Sequence, residues 1–253
     1  MCGIIGIHNN TEAAMLAYMG LYAQQHRGQE GAGVVSSDGS SLHRHMGQGL
    51  VSDIFSDPHV FKGLLGETAI GHVRYSTTGH SDPKNVGPLT FNMGDHYLSI
   101  AHNGNLVNID TIRSELQEDG ALFQTSTDTE IIIHLIAREK GNNLAEKVEK
   151  ALRKIEGAYS LLLLSPNEII AARDPHGIRP FCMGKLQDTI VFASETCALD
   201  LLGAEYVREV EPGEMIVAND EGYFAKTIME PLQSKHCIFE YIYFSRPDSK
   251  IFG

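Results

Sequence analysis

At 253 residues, with 42% hydrophobic and 21% charged side chains, the chain has the mass for one large core or two modest ones and the composition of an ordinary globular protein. A formal net charge of −12 argues against nucleic acid or an anionic membrane as a main partner, because both demand a basic footprint. Cys2, Cys182, Cys197 and Cys237 stand far apart without a CxxC pair, and no apolar run is long enough for a leader or a membrane span; a disulfide scaffold, a self-contained zinc site and export are not expected, and a reducing cytoplasm is.

In chain order, residues 2–8 read as a buried strand whose Gly3 and Gly6 leave room beside the backbone. Asn10 or Thr11 is placed to cap a helix through Met15, Leu16, Met19 and Ala23 that stops at His26-Arg27-Gly28. Val34-Val35 and residues 42–46 predict a hairpin around Ser36-Ser37-Asp38-Gly39-Ser40. Residues 69–74 make a strand that feeds a loop at 75–88, rich in Ser, Thr, Gly and Pro. That loop is longer than most connections in compact domains, which predicts a functional lid.

Residues 97–102 alternate as a strand ending in Asn103-Gly104-Asn105, and Asn108 caps a helix carrying Ile109, Ile112 and Leu116, closed by Gly120. Thr127-Asp128-Thr129-Glu130 has the capping-box pattern ahead of Ile131, Ile132, Leu135 and Ile136. Asn143 with Glu146 opens a helix through Leu144, Val148, Leu152 and Ile155, ended by Gly157. Short strands follow at 159–164, 169–173, 181–184, 190–193, 215–217 and 224–228, with a short helix at 194–202. Strands and helices in blocks, rather than in strict alternation, indicate α+β. The aromatic run at 237–244 is unusually apolar for a free terminus and predicts continuation into another domain.

The chemistry concentrates at Cys2. Removal of Met1 leaves a residue with both a thiol and a free α-amine, groups that titrate near ~8.5 and ~8, so the amine can take the thiol proton close to neutral pH. The competing reading is a small buried residue at the start of a strand. Asn103-Gly104 offers a side-chain amide and an unhindered backbone N–H, the donor pair of an oxyanion hole, or else an ordinary Asn-Gly turn. Arg74, where a strand gives way to the long loop, suits a carboxylate clamp or an exposed structural role. Asp128 either complements the first turn of its helix or holds an ammonium. His72 and His102 lie near the candidate site without a sequence reason to place either beside Cys2, and Cys237 reads as a buried thiol in an aromatic segment.

Together, Cys2-Gly3-Ile4, Gln25-His26-Arg27-Gly28-Gln29-Glu30-Gly31, His72-Val73-Arg74-Tyr75-Ser76-Thr77-Thr78-Gly79, His102-Asn103-Gly104-Asn105 and Ser126-Thr127-Asp128-Thr129-Glu130 resemble the class II glutamine amidotransferases, which are N-terminal-nucleophile hydrolases. Arg173-Asp174-Pro175-His176-Gly177-Ile178-Arg179-Pro180, Ala193-Ser194-Glu195-Thr196-Cys197-Ala198-Leu199-Asp200 and residues 237–244 resemble the subfamily that transfers ammonia to phosphoribosyl pyrophosphate in purine biosynthesis.

The resemblance implies a four-layer αββα sandwich, a glutaminase domain over residues 1–236, and the start of a linker or phosphoribosyltransferase domain over 237–253. It implies L-glutamine as substrate, Cys2 as nucleophile, and Asn103 with Gly104 as the oxyanion hole. Arg74 would bind the substrate carboxylate and Asp128 its ammonium, with Thr77 and Thr78 contributing from the loop, Gly79 and Gly87 flanking a lid, and Arg27 and Gly28 lining the nucleophile's side. No metal is implied in this chain. Magnesium and an iron–sulfur cluster through Cys237 are expected only with a phosphoribosyltransferase domain in cis or trans, as is a homo-oligomer in the full-length protein; no propeptide is expected before Cys2. The alternatives are the glutaminase module of another amidotransferase, or a silent regulatory module that retains Met1.

Overall fold

A computed structural model describes residues 1–75, 82–94 and 97–253. Its strands are β1 (Gly3–His8), β2 (Gly31–Ser37), β3 (Leu42–Gln48), β4 (Thr68–Arg74), β5 (Leu89–Asn92), β6 (Tyr97–Leu106), β7 (Gly157–Leu164), β8 (Glu168–Arg173), β9 (Cys182–Leu186), β10 (Thr189–Ala193), β11 (Glu205–Glu209), β12 (Glu214–Asn219) and β13 (Gly222–Thr227). The helices are α1 (Ala13–Ala23), α2 (Val51–Ile54), α3 (Ile109–Glu118), α4 (Thr129–Arg138), α5 (Leu144–Leu152) and α6 (Thr196–Leu202). One sheet has the order β11-β9-β10-β1-β4-β2-β3 and the other β13-β12-β8-β7-β6-β5, with antiparallel pairing throughout.

Three apolar cores define the layers. Ile5, Ile7, Val34 and Val73 pack with Ala17 and Leu21 of α1 and Ala198 and Leu199 of α6 on the outer face of the first sheet. Ile100, Leu161, Leu163 and Ile170 pack with α3, α4 and α5 on the outer face of the second. Ile4, Ile70, Ala101, Leu162, Ile169 and Phe192 fill the seam between the sheets. The result is the αββα sandwich expected from the sequence. The period-2 rule then orients the site strands: Ile4 and Gly6 face the seam, where a Cβ on Gly6 would meet Leu162 and Ile169, so Cys2 falls on the seam side of the chain entering β1. Ala101 also faces the seam, and Asn103, two residues on, faces the same way.

Several local expectations change. Asn103-Gly104-Asn105 is not a turn at a strand end: β6 runs on to Leu106, with Asn103 paired to Ser160 and Gly104 to Tyr159 of β7. Glycine is required there because a Cβ would overlap the Ala158 carbonyl oxygen. The capping box at 127–130 does not form. Asp128 is the N-cap of α4 without a side-chain cap bond, and Glu130 instead accepts from the N–H groups of Gln124 and Thr125 at 2.8 and 2.7 Å, tying down the preceding loop. By contrast, Asn143 caps α5 as read, its Oδ1 accepting from Glu146 N at 2.9 Å. Asn10 accepts from Glu12 N at 2.8 Å, one step ahead of α1. Strands β5 and β11 and helix α2, which are short, were not legible. Residues 76–81 of the predicted lid, among them Thr77, Thr78 and Gly79, lie outside the described residues.

Helix α1 leads through a 3₁₀ turn, Gln25–Arg27, to Gly28, where the chain crosses the end of β4 so closely that a Cβ would sit 2.5 Å from the Arg74 backbone. Neither backbone can yield without disturbing the strand register. Gly28→Ala is therefore expected to destabilise the fold by about 1–3 kcal/mol, the usual cost of overpacking, as read from the midpoint of urea unfolding; an unchanged midpoint would mean that the crossing is not tight.

Candidate active site

Cys2 sits at the mouth of the seam with its thiol directed at the Tyr75 carbonyl, Sγ to O 3.6 Å. The cleft beside it is lined by His72, Arg74, Asn85, His102, Gly104, Thr127 and Asp128, among others. Strand β4 supplies His72 and Arg74, β6 supplies His102 and Gly104, and the start of α4 supplies Asp128, so separate stretches of the chain converge on one thiol.

Asn103 is wholly buried, and neither its amide nitrogen nor its amide oxygen has a hydrogen-bond partner among the described residues. Buried amides are nearly always paired, so an unpaired one facing the same seam as Cys2 needs an explanation. A donor kept available for a charge that develops only during reaction is such an explanation.

Arg74 is buried, and its Nη1 donates to the Asn85 carbonyl at 3.0 Å, with Glu30 Oε2 4.0 Å from Nε. Asn85 is fixed in turn by Ser126, whose Oγ accepts from Asn85 Nδ2 at 3.0 Å and whose N–H donates to Oδ1 at 3.2 Å. Asp128 turns away from its helix: Leu106 N donates to Oδ2 at 3.0 Å, and His102 Nδ1 lies 3.6 Å from Oδ1. Burial opposes its charge, but the neighbouring His102 and the Leu106 N–H hold its carboxyl below the usual carboxylate range. The cleft thus places a guanidinium and a carboxylate beside the same thiol.

The two histidines diverge. Burial, reinforced by Arg74, pushes His72 down to about 3, so it is neutral. Burial also acts against the charge on His102, but Asp128 outweighs it and holds the pKa above its ordinary value.

Arg27 and Gly28 lie behind Cys2 rather than in the cleft. Arg27 is wholly buried; its Nε donates to the Cys2 carbonyl at 3.0 Å, Nη1 pairs with Glu195, and Nη1 and Nη2 bond Glu240 at 3.0 and 2.8 Å. Glu195 also receives His26 Nε2 at 2.9 Å, Arg246 N at 3.0 Å and Ser249 Oγ at 2.8 Å. Sequence reasoning missed Glu195, Glu240 and Asn85. A signal existed for Glu240, the one charge within the apolar run 237–244. None existed for Asn85, a loop residue. Cys237 is half-buried rather than buried, because its segment lies on the surface of the sandwich. Among the described residues it belongs to no group of three metal-ligating side chains. No helix of the described residues is long and apolar enough to cross a membrane.

A cysteine leading into a central strand, with two antiparallel sheets stacked under helices, is the arrangement of the N-terminal-nucleophile hydrolases. The chain belongs to the glutamine amidotransferase domain family, whose pattern matches residues 72–201. It is 47% identical over its whole length to the amidophosphoribosyltransferase of Bacillus subtilis (strain 168), covering 53% of that protein. It is also 47% identical to the chloroplastic amidophosphoribosyltransferase 2 of Arabidopsis thaliana, covering 45% of it. The chain therefore spans about half the length of the curated relatives it matches. Among solved structures, glutamine phosphoribosylpyrophosphate amidotransferase from B. subtilis, complexed with ADP and GMP, superposes with a TM-score of 0.94 at 46% identity, over 99% of this chain and 54% of that one. A structure described as the allosteric regulatory enzyme of purine biosynthesis gives 0.95 at 46% identity, over 99% and 54%.

The Arg27 cluster generates a pH prediction. Burial raises the Glu195 carboxyl, but the His26 hydrogen bond and the Arg27 charge prevail and bring it from the ordinary 4.5 to about 2. A depressed carboxyl stabilises the fold fully above its unfolded pKa, and that stability is lost as pH falls through the folded one. The loss is expected between pH 4.5 and about 2, on the order of 3 kcal/mol. Glu195→Gln is expected to remove this part of the acid dependence and, by leaving Arg27 underpaired, to cost about 3–5 kcal/mol at neutral pH. Urea melts of both proteins from pH 6 to pH 2 measure the two effects; parallel curves would show that Glu195 does not titrate as described.

Proposed function

We propose that this chain hydrolyses L-glutamine to glutamate and ammonia through a thioester on Cys2. The observation that carries the reading is the unpaired, buried amide of Asn103 facing the seam at whose mouth Cys2 lies, next in the chain to Gly104, which lines the cleft with Cys2, Arg74 and Asp128. Arg74 takes the α-carboxylate of glutamine in its guanidinium fork and Asp128 takes the α-ammonium, which leaves the side-chain amide to reach the thiol. Thr77 and Thr78 belong to the same reading as contributors from the loop.

Removal of Met1 converts the Cys2 amide nitrogen into an amine with a lone pair. That amine accepts the thiol proton as sulfur attacks the amide carbon. The Asn103 amide and the Gly104 N–H stabilise the oxyanion, and the protonated amine returns the proton to departing ammonia. Water, deprotonated by the same amine, then adds to the thioester, and glutamate leaves with the thiol restored. With Met1 attached, the Cys2 nitrogen is an amide and has no basic lone pair. Its α-amino group is then Met1's, which burial first and the Arg27 and Arg179 charges next lower to about 5.

The same reading assigns the ammonia to phosphoribosylamine synthesis in purine biosynthesis by a phosphoribosyltransferase domain, in cis or in trans, in a cytoplasmic homo-oligomer. The names of the relatives and the share of their length that this chain covers support the phosphoribosyltransferase domain. Magnesium, and a cluster using Cys237, belong with that domain.

Two substitutions test the chemistry. Cys2→Ala is expected to abolish glutamate release from glutamine in protein shown by mass to lack Met1; undiminished turnover would end the mechanism. Asp128→Asn is expected to raise KM for glutamine roughly 10- to 100-fold, the value of a hydrogen bond to a charged group, with the thermal midpoint close to wild type because the asparagine Oδ1 still accepts from Leu106 N. Equal losses of stability and activity would instead assign Asp128 to the scaffold.

A further inference from the structure

Residues 238–244 are turned inside out. Phe239 and Tyr241 are 53% and 56% exposed, yet Glu240 between them is 1% exposed. The buried carboxylate meets Arg27 in a two-pronged bond, 3.0 Å from Nη1 and 2.8 Å from Nη2, and Ser245 Oγ donates to its Oε2 at 2.9 Å. On its other edge the same guanidinium gives Nε to the Cys2 carbonyl at 3.0 Å. A guanidinium is planar and rigid, so holding its two terminal nitrogens fixes the direction of Nε. The backbone of residue 2 is thereby oriented from residue 240, although the two are far apart in sequence.

We infer that Glu240 is a positioning residue for the nucleophile. Its carboxylate, acting through Arg27, holds the Cys2 carbonyl and hence the line of thiol attack, so seating of segment 237–253 becomes a condition for fast amide cleavage. The inference rests on the reading of Cys2 as nucleophile. Arg74 and Asp128, which hold the substrate in that reading, sit on β4 and at the start of α4 and do not depend on this contact. Glu195 keeps Arg27 buried when Glu240 is altered, so the guanidinium stays behind Cys2 with one anchor instead of two. Small errors in attack geometry are costly for rate and cheap for binding.

The test is Glu240→Gln in the full chain with Met1 removed, assayed for glutamate release. The expected result is a fall in kcat of roughly 10- to 100-fold with KM for glutamine within about twofold of wild type. Ser245→Ala, which loosens the Glu240 carboxylate without removing it, is expected to show the same split at smaller size, and decides the matter if Glu240→Gln does not fold. Wild-type kcat in a folded variant would overturn the proposal, as would kcat and KM failing together in step with thermal stability. A wild-type chain that hydrolyses no glutamine would instead overturn the reading of Cys2.

Discussion

Burial of strand β1 on both faces is the constraint from which the site follows. Ile5 and Ile7 pack under α1, and Ile4 packs in the seam against the second sheet. A strand held in this way cannot slip by one residue without exchanging its two faces. Its N-terminal end is therefore delivered to one place, the mouth of the seam, and the residue delivered is Cys2. Gly6 permits the approach: anything larger would strike Leu162 and Ile169 and move the sheets apart.

The seam is apolar through its middle and polar at this end. Ala101 belongs to the inter-sheet core, and Asn103, two positions along the same face, is where polarity begins. The cleft beside Cys2 gathers groups of opposite disposition: a neutral His72, a His102 biased toward charge by Asp128, and a guanidinium tied to a loop carbonyl. Low dielectric strengthens each of these interactions and makes each unpaired group costly. An orphaned buried amide is a destabilising feature that the fold tolerates where chemistry would use it.

Behind Cys2, Arg27 with Glu195 and Glu240 forms a buried ionic cluster. Such clusters are poor stabilisers compared with apolar packing of the same volume, because desolvation consumes most of their Coulombic gain. Their worth lies in direction: three planar groups with fixed hydrogen-bond geometry admit one arrangement, where apolar side chains would admit several. Here that arrangement joins segment 237–253 to the backbone of Cys2.

The sequence by itself determined the class of fold and most of the elements, because helical and strand periodicities are local properties that burial then uses. Ile131, Ile132, Leu135 and Ile136 predicted the core face of α4, and residues 34–46 their hairpin. Cys2, Arg74, Asn103, Gly104 and Asp128 were legible as candidates because each residue type suits one task in amide chemistry and their order resembles a known family. Tertiary structure decided what those residues touch. Only the pairing with β7 shows that Asn103-Gly104 is strand rather than turn, and only the turn of the Asp128 carboxylate toward Leu106 N shows that it does not cap its helix. From its motif Arg27 was expected to line the nucleophile's side of the pocket; it stands behind Cys2, held by two glutamates 168 and 213 residues away. Ion pairing at that separation leaves no periodicity in the chain, because Coulombic partners are chosen by distance in space and a sequence records only distance along the backbone.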